Sequence, residues 1–216
     1  MRIIAGTAKG RILRSLRGQV LRPTPDRVRE SLFGVLGEQV VGAVFADLYA
    51  GVGSVGLEAL SRGAEQAVFV ESHAPAVRLI VENAARCGFA ERIRVIRTRV
   101  TRALPRLAQQ GVVFELVFLD PPYGVGEVVE AMAALARLPA LVVEGGRVVC
   151  QRSRREELEE RIGYLVRKRQ SRFGETMLDF YCSAPRAENG SSCAEACPAR
   201  GARECAGPCE GPAVGG

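Results

Sequence analysis

The sequence predicts an α/β protein with a doubly wound, mostly parallel sheet, and three observations point to this class. Over residues 1–184, short apolar or β-branched runs alternate with segments of helical periodicity. A G-x-G-x-x-G motif follows one of these runs and opens a helix, as in many nucleotide-binding sheets. From residue 164 the alternation gives way to two strand-like runs. We therefore expect helices on both faces of the sheet and an antiparallel hairpin at one edge.

An N-terminal extension precedes the sheet. Residues 2–4 and 11–16 can pair as a β-hairpin around the glycines between them. Thr24 is then a candidate helix N-cap, with Pro25 at the first helical position and Asp26 in the first turn. The extension is therefore expected to consist of a hairpin and one helix.

The elements of the sheet follow in order. The predicted parallel strands are residues 43–49, 66–71, 92–98, 114–119 and 141–150. The predicted helices between them are residues 55–62, 74–87 and 127–138. Residues 154–162 have helical spacing, and residues 164–169 and 176–183 form the predicted hairpin.

Composition and charge limit the class of function. The 216 residues include 30 Lys+Arg, of which 28 are Arg, and 24 Asp+Glu, for a net charge of +6. Residues 1–31 hold eight of these cations and two acids, which favours a nucleic-acid partner, although an Arg-rich composition also follows from a GC-rich genome. No run approaches the roughly 18 apolar residues of a membrane span, and the N-terminus lacks the apolar segment of a signal peptide. We expect a cytoplasmic protein that does not contact membranes.

The composition divides the chain into three parts. We expect residues 1–40 to form the basic extension, residues 41–184 the α/β domain, and residues 185–216 a disordered tail. The tail has a net charge of −1, which leaves +7 on residues 1–184. It also holds four cysteines, Cys193, Cys197, Cys205 and Cys209. Their three-residue gaps differ from the usual spacing of zinc ligands, so we predict no metal site.

The glycine motif consists of Gly51, Gly53 and Gly56. Such a loop makes a tight turn and lets a ligand approach the backbone closely. Glu71 lies 20 residues past Gly51, where a carboxylate can bind ribose hydroxyls. Asp47 precedes the loop by four residues, and its carboxylate suits the cationic groups of S-adenosylmethionine better than a pyrophosphate. These residues predict a nucleoside-containing cofactor, with S-adenosylmethionine favoured over a dinucleotide.

A second motif, Asp120-Pro121-Pro122-Tyr123, follows the strand predicted over residues 114–119. The motif therefore lies at the carboxyl edge of the sheet, on the same side as the glycine loop. The Asp120 side chain and the Pro121 carbonyl can accept hydrogen bonds from the two N–H groups of a nucleobase amine. The ring of Tyr123 offers a face on which the base can stack. This arrangement predicts methyl transfer to an exocyclic amine.

Together these motifs resemble the RsmD family of 16S rRNA guanine-N2 methyltransferases. The matching stretches are residues 1–4, 21–24, 26–33, 47–63 and 120–123. The resemblance implies a Rossmann-like class I methyltransferase fold, whose mostly parallel sheet has seven strands. It also implies S-adenosyl-L-methionine as the methyl donor and the N2 amine of a guanine in 16S rRNA as the acceptor.

The resemblance also implies which residues form the site. The implied cofactor residues are Asp47, Tyr49, Gly51, Gly53, Glu71 and Ser72. The implied catalytic residues are Asp120, Pro121, Pro122 and Tyr123. The implied RNA-binding residues are Arg22, Thr24, Arg27 and Arg29. One departure concerns the end of the third strand, where the family commonly has Asp or Asn for adenine and this chain has Arg97-Thr98-Arg99.

Other functions remain open at this point. An Asp-Pro-Pro-Tyr site also suits adenine N6 or cytosine N4 in another RNA or in DNA. A nicotinamide-dependent oxidoreductase would use the same glycine loop, and a non-catalytic RNA-binding protein would share the basic extension. We expect a monomer whose partner is 16S rRNA, either free or in the assembling small ribosomal subunit.

Overall fold

The computed structural model describes residues 1–16, 24–124 and 126–185. Within them the α-helices are α1 (Asp26–Leu36), α2 (Ser54–Ser61), α3 (Ala74–Cys87), α4 (Val100–Gln109) and α5 (Glu127–Ala136). The strands are β1 (Val44–Leu48), β2 (Gln66–Glu71), β3 (Ile93–Arg97), β4 (Phe114–Leu119), β5 (Val142–Ser153), β6 (Arg161–Ile162), β7 (Leu165–Phe173) and β8 (Thr176–Ser183). The tail cysteines and Arg22 lie outside the described residues.

The strands join in one sheet in the order β3-β2-β1-β4-β5-β8-β7-β6. Strands β1 to β5 pair in parallel, whereas β8 pairs antiparallel with both β5 and β7. Both faces of the sheet are covered, because neighbouring residues of β1 enter different cores. Phe45 packs in the core that contains α1, α2 and α3, and Ala46 packs in the core of α4 and α5. The predicted doubly wound α/β class, with its antiparallel C-terminal hairpin, is confirmed.

The sheet has eight strands among the described residues, where seven were expected. The additional strand, β6, belongs to a segment whose spacing predicts a helix over residues 154–162, and that helix prediction is wrong. The Arg152 side chain turns inward to the Asp179 carboxylate and the Glu156 carbonyl. The Glu156 carboxylate accepts the N–H of Ser153 at 3.2 Å. These contacts favour a turn, after which the chain pairs with β7.

Helix α4 is absent from the sequence prediction. Its buried residues Val100, Ala103, Leu104 and Leu107 follow the spacing of an amphipathic helix. Arginines occupy several of the intervening positions, and Pro105 lies inside the helix on its exposed side. The arginines therefore make the segment resemble a charge cluster, and the helix is recognised only from the spacing of its apolar residues. The helix covers the sheet beside the carboxyl end of β3.

The N-terminal extension docks on α2 through the buried carboxylate of Glu58. Its two oxygens accept the N–H groups of Ile4 at 2.8 Å and Ala5 at 3.0 Å. They also bind Arg62 Nε at 2.8 Å and Arg29 Nη1 at 3.4 Å. One side chain therefore joins the extension, α1 and α2. The expected hairpin is present as a single antiparallel bridge between Arg2 and Ile12.

Asn83 of α3 makes a second connection between the extension and the glycine loop. Its side chain accepts the N–H of Arg14 at 2.7 Å and donates to the Arg14 carbonyl at 3.0 Å. The same amide group donates to the carbonyl of Val52 at 3.1 Å. Because Asn83 is fully buried, these hydrogen bonds hold the backbone of the glycine loop and of the extension against α3. No helix among the residues that the structure describes is long and apolar enough to cross a membrane.

Candidate active site

A cleft of about 1100 Å³ opens at the carboxyl ends of the parallel strands. Its lining includes most of the residues that the two motifs predict, drawn from positions far apart in the chain. The polar and charged lining residues are Arg27, Tyr49, Glu71, Ser72, Thr98, Arg99, Thr101, Asp120, Tyr123, Glu127, Glu130, Gln151, Arg172, Glu175 and Thr176. A smaller pocket of about 200 Å³ shares Tyr49, Gly51 and Asp120 with the cleft and is also lined by Asp47 and Thr24.

Gly51 leaves open space at the wall of the cleft. Its φ of 56° lies in the left-handed region, and no atom lies within 4 Å of the position that a Cβ would occupy. The Gly51 N–H donates to Glu71 Oε2 at 2.8 Å, and the His73 N–H donates to Glu71 Oε1 at 2.8 Å. The Glu71 carboxylate is thus held in one orientation while each oxygen retains a lone pair. Ser72 is exposed beside it.

Gly53 and Gly56 serve helix packing. A Cβ on Gly53 would lie 3.3 Å from Phe69 and Ile80, so this glycine faces the core. It caps α2 with a φ of 83° and is not among the lining residues of the cleft, and its contact with a cofactor stays a prediction. A Cβ on Gly56 would lie 2.4 Å from the Phe69 ring. The glycine there lets α2 approach β2 closely.

Asp47 lies at the bottom of the smaller pocket. Its Oδ2 accepts the Gly56 N–H at 2.8 Å, and its side chain is almost fully buried. Burial raises the pKa of Asp47 to about 8, against the lowering effect of that hydrogen bond. The carboxyl group is therefore costly to ionise in the free protein. A cation placed beside it would favour the ionised form.

Asp47→Asn should raise the stability of the free protein at high pH. The folded protein keeps the Asp47 proton up to about pH 8, whereas the usual aspartate pKa is 3.8. The parent therefore loses stability as the pH rises through this window, and Asn removes that loss while it can still accept the Gly56 N–H. Denaturant unfolding at pH 5, 7 and 9 measures the difference. A constant difference between the two proteins across this range would contradict the prediction.

Tyr49 is held in a strained conformation between the cleft and the smaller pocket. Its φ of 66° is the positive value of a non-glycine residue, which costs about 1–3 kcal/mol and is often found at functional sites. Burial beside Glu127 and Glu130 raises the pKa of the Tyr49 phenol well above its usual value. Tyr49 thus remains a neutral side chain at the junction of the two spaces.

The predicted base-binding motif meets three polar side chains from other elements. The Thr24 hydroxyl donates to Asp120 Oδ2 at 3.1 Å. The Gln151 amide donates to the Tyr123 hydroxyl at 3.1 Å, and Thr176 Oγ1 lies 3.4 Å from the same hydroxyl. Burial raises the pKa of Asp120 to about 7, while hydrogen bonds from Thr24 and Gln151 lower it.

Two of the predicted RNA-binding residues have other roles in the structure. Arg29 is fully buried, where it binds Glu58, Asp26 and the Arg2 carbonyl, so its assignment as an RNA contact is wrong. Thr24 is buried and does not cap α1, because Pro25 is the N-cap residue and the Thr24 hydroxyl binds Asp120. Arg27 is exposed at the cleft, so it can contact RNA as predicted.

Gln151 and the β7–β8 turn are absent from the predicted site. Strand β5 was expected to end at residue 150, yet it continues to Ser153. Because Leu119 pairs with Cys150, the next residues, Asp120 and Gln151, lie side by side. A polar residue directly after an apolar run was the available signal. The hairpin turn, residues 172–176, reaches the cleft through folding alone and had no local signal.

The sheet order and the cleft at the carboxyl edge of the sheet define the class of the protein. It has the fold of the class I S-adenosylmethionine-dependent methyltransferases. Within that class the chain belongs to the RsmD family, whose description reads Conserved hypothetical protein 95 and which matches residues 1–182. The resemblance inferred from the motifs is thereby confirmed.

Individual relatives support this placement. YlbH of Bacillus subtilis, named as an rRNA methyltransferase, is 36% identical over 181 residues, which are 84% of this chain and 98% of the relative. Ribosomal RNA small subunit methyltransferase D of Escherichia coli K12 is 39% identical over 135 residues, which are 62% of this chain and 66% of the relative.

Solved structures agree with the fold. The structure of yhhF from Escherichia coli, named as a methyltransferase, has a TM-score of 0.75 and 31% identity, and the match covers 86% of this chain and 99% of that chain. Another protein named as a methyltransferase was crystallised with SAH. It has a TM-score of 0.60 at 11% identity, with coverage of 72% and 48%, which shows a shared fold alone.

Proposed function

We propose that this protein transfers a methyl group from S-adenosyl-L-methionine to the N2 amine of a guanine in 16S rRNA. The observation that carries the proposal is the position of the Asp120 carboxylate. Asp120 and Pro121 line the same cleft as Gly51 and Glu71. A cofactor site and two acceptors for an amine thus share one space. The names of the relatives support rRNA as the substrate.

The residues at the glycine loop fit the cofactor. The space beside Gly51 admits a ligand close to the backbone, and Glu71 keeps lone pairs for two ribose hydroxyls. Asp47 provides a buried carboxyl group in the adjoining pocket, where its negative charge would stabilise a cationic ligand. S-adenosylmethionine supplies a methyl group on an electrophilic sulfonium. Tyr49 lines both the smaller pocket that holds Asp47 and the wider cleft.

Asp120 and Pro121 would prepare the amine for attack. The lone pair of a guanine amine is delocalised into the ring, which makes the nitrogen a poor nucleophile. Two acceptors aimed at its N–H bonds favour a more tetrahedral nitrogen with its lone pair directed outward. Tyr123, whose hydroxyl is held by Gln151, would stack on the extruded base. Catalysis would then come from orientation and preorganised acceptors.

RNA would approach the cleft across its exposed arginines. Arg27 on α1, Arg99 before α4 and Arg172 on β7 are exposed at the rim of the cleft. Arginine binds phosphate through several N–H donors, so this rim suits an RNA backbone. The substrate is 16S rRNA, free or within the assembling small subunit, and the proposed enzyme acts as a monomer in the cytoplasm.

Methyl transfer to purified small-subunit RNA tests this function. The protein should move a tritiated methyl group from S-adenosylmethionine to 16S rRNA, and nucleoside analysis should find N2-methylguanosine. Labelled N6-methyladenosine or N4-methylcytosine would overturn the guanine assignment, and no transfer to any RNA or DNA would overturn the enzyme. Calorimetry with NAD as the competing ligand should detect no tight binding, since tight binding of NAD alone would indicate an oxidoreductase.

The rate should fall as the pH decreases through about 7. The ionised Asp120 carboxylate accepts hydrogen bonds from the amine more strongly than the protonated carboxyl group, which keeps one carbonyl acceptor, and burial raises its pKa to about 7. The value of kcat/KM for RNA should therefore rise up to about tenfold per pH unit below pH 7 and level above it. Initial rates from pH 5.5 to 9 measure this profile. A rate that is flat between pH 5.5 and 7 would contradict an ionised acceptor at this position.

A further inference from the structure

A hydrogen bond joins the N-terminal extension to the residue proposed to hold the amine. The Thr24 hydroxyl donates to Asp120 Oδ2 at 3.1 Å, across 96 residues of sequence. Thr24 precedes α1 and is only 5% exposed, and Asp120 directly follows β4. Both residues also line the smaller pocket beside Asp47. The contact therefore lies inside the site, at the point where the extension covers it.

This bond divides the roles of the two carboxylate oxygens of Asp120. A carboxylate rotates about its terminal torsion with a low barrier, so an unrestrained aspartate would present either oxygen over a broad range of angles. Thr24 holds Oδ2 from the side of the extension, at 3.1 Å. This hydrogen bond restrains the rotation of the carboxylate. Oδ1 is then available to an amine in the cleft.

The charges around Asp120 make a neutral donor the suitable partner. The charged or titratable side chains that line the two spaces with Asp120, or couple to it, are Arg27 (α1), Asp47 (β1), Tyr49, Glu71 (β2), Arg99, Tyr123, Glu127 and Glu130 (α5), Cys150 (β5), and Arg172 and Glu175 (β7–β8). Asp47 and Cys150 couple unfavourably with a charged Asp120. A hydroxyl stabilises the ionised carboxylate without adding a charge that would compete for the site.

We propose that Thr24 is the positioning residue for Asp120. It holds one carboxylate oxygen so that the other can accept a hydrogen bond from an N–H group of the target amine. This inference rests on the proposed function. It assigns Thr24 a part in the chemistry, beyond the cover over the cofactor and the contact with RNA that the resemblance implies for residues 22–24. The extension that carries the basic charge thus also orients the reacting group.

Thr24→Val tests the proposal, because valine keeps the shape of the side chain and removes the hydroxyl. Loss of a hydrogen bond to the charged form should raise the pKa of Asp120, so the acid limb of kcat/KM should move up by about one pH unit. At pH 6 the variant should be at least about tenfold slower than the parent, and at pH 9 a smaller loss should remain, because the ionised carboxylate is no longer held in one orientation. Thr24→Ser keeps a hydroxyl and should restore the parental profile. Thr24→Ala should reproduce the shift if valine disturbs folding.

A control separates this contact from a general effect of the extension. Thr7→Val removes another hydroxyl of the extension, one that lies 3.4 Å from the Ser61 carbonyl and far from Asp120 in the chain. Its acid limb should coincide with that of the parent. An equal shift in Thr7→Val, or no shift in both Thr24→Val and Thr24→Ala, would overturn the positioning role.

Carboxyl NMR gives a readout that does not depend on methyl transfer. The chain holds only four aspartates, Asp26, Asp47, Asp120 and Asp179, so ¹³C-labelled aspartate gives a resolvable titration. Asp120→Asn identifies the resonance, and Thr24→Val should move its midpoint to higher pH. A parent that methylates RNA while this midpoint stays fixed in Thr24→Val would refute the Thr24 proposal. A moved midpoint in a protein that transfers no methyl group would instead refute the proposed function.

Discussion

Asp120→Ala should abolish methyl transfer while leaving cofactor binding nearly intact. The variant removes an acceptor that is proposed to hold the amine, and loss of one preorganised group of this kind costs about 10³-fold in rate. The proposed cofactor contacts of Glu71 and Gly51 do not involve the Asp120 side chain. Single-turnover transfer to small-subunit RNA measures the rate, and calorimetry with S-adenosylmethionine measures the binding.

Two further variants serve as controls for the Asp120→Ala prediction. Asp120→Asn keeps one carbonyl acceptor of the same shape, so it should retain more activity than alanine, and its activity should no longer fall below pH 7. Glu82→Ala removes an exposed acid on α3, outside the cleft, and should keep the parental rate. Parental methylation by Asp120→Ala would show that another group holds the amine.

Glu58→Ala should lower the free energy of unfolding by about 3–5 kcal/mol, because it leaves a buried charge without its partner. Arg29 is fully buried, and its other carboxylate partner, Asp26, is half-exposed. The substitution also leaves the N–H groups of Ile4 and Ala5 without their acceptor. Denaturant unfolding measures the loss, and thermal unfolding should show a decrease in Tm of about 10 °C.

The matched comparison is the exposed pair of Arg14 and Glu82, which also joins the extension to a helix. Its atoms lie 2.8 Å apart, with side chains that are 61% and 46% exposed. Glu82→Ala should therefore cost no more than about 1 kcal/mol. Equal decreases in the free energy of unfolding in Glu58→Ala and Glu82→Ala would mean that the buried contacts of Glu58 do not hold the extension on α2.

The sequence predicts the parallel sheet well because its strands are buried on both faces. Runs such as Gln66–Glu71 and Phe114–Leu119 each contain a stretch of four apolar residues, and their bounds agree with the structure. The glycine loop and the Asp120 motif were also placed correctly at the same edge. Their position follows from topology alone, since the carboxyl ends of parallel strands meet on one side.

Charged segments were less predictable, because a charge does not reveal its partner. Arg29 was expected to contact RNA, yet it is buried against Glu58, and Arg152 is likewise buried against Asp179. Each of these carboxylates is distant in sequence from its arginine. Among the described cations of the extension, Arg29 is therefore not available to RNA. Gln151 gave only one local signal, a polar residue directly after an apolar run, and Thr24 gave no local signal of a contact with Asp120. The sheet brings Gln151 beside Asp120, and the extension brings Thr24 to it.

The central claim is that this cleft methylates guanine N2 in 16S rRNA, and mass mapping of that RNA tests it most directly. Small-subunit RNA from cells with and without the gene should differ by one methyl group on a single guanine. Expression of the parent should restore this group, whereas expression of Asp120→Ala should not. Identical methylation of 16S rRNA with and without the gene, or restoration by Asp120→Ala, would contradict the account.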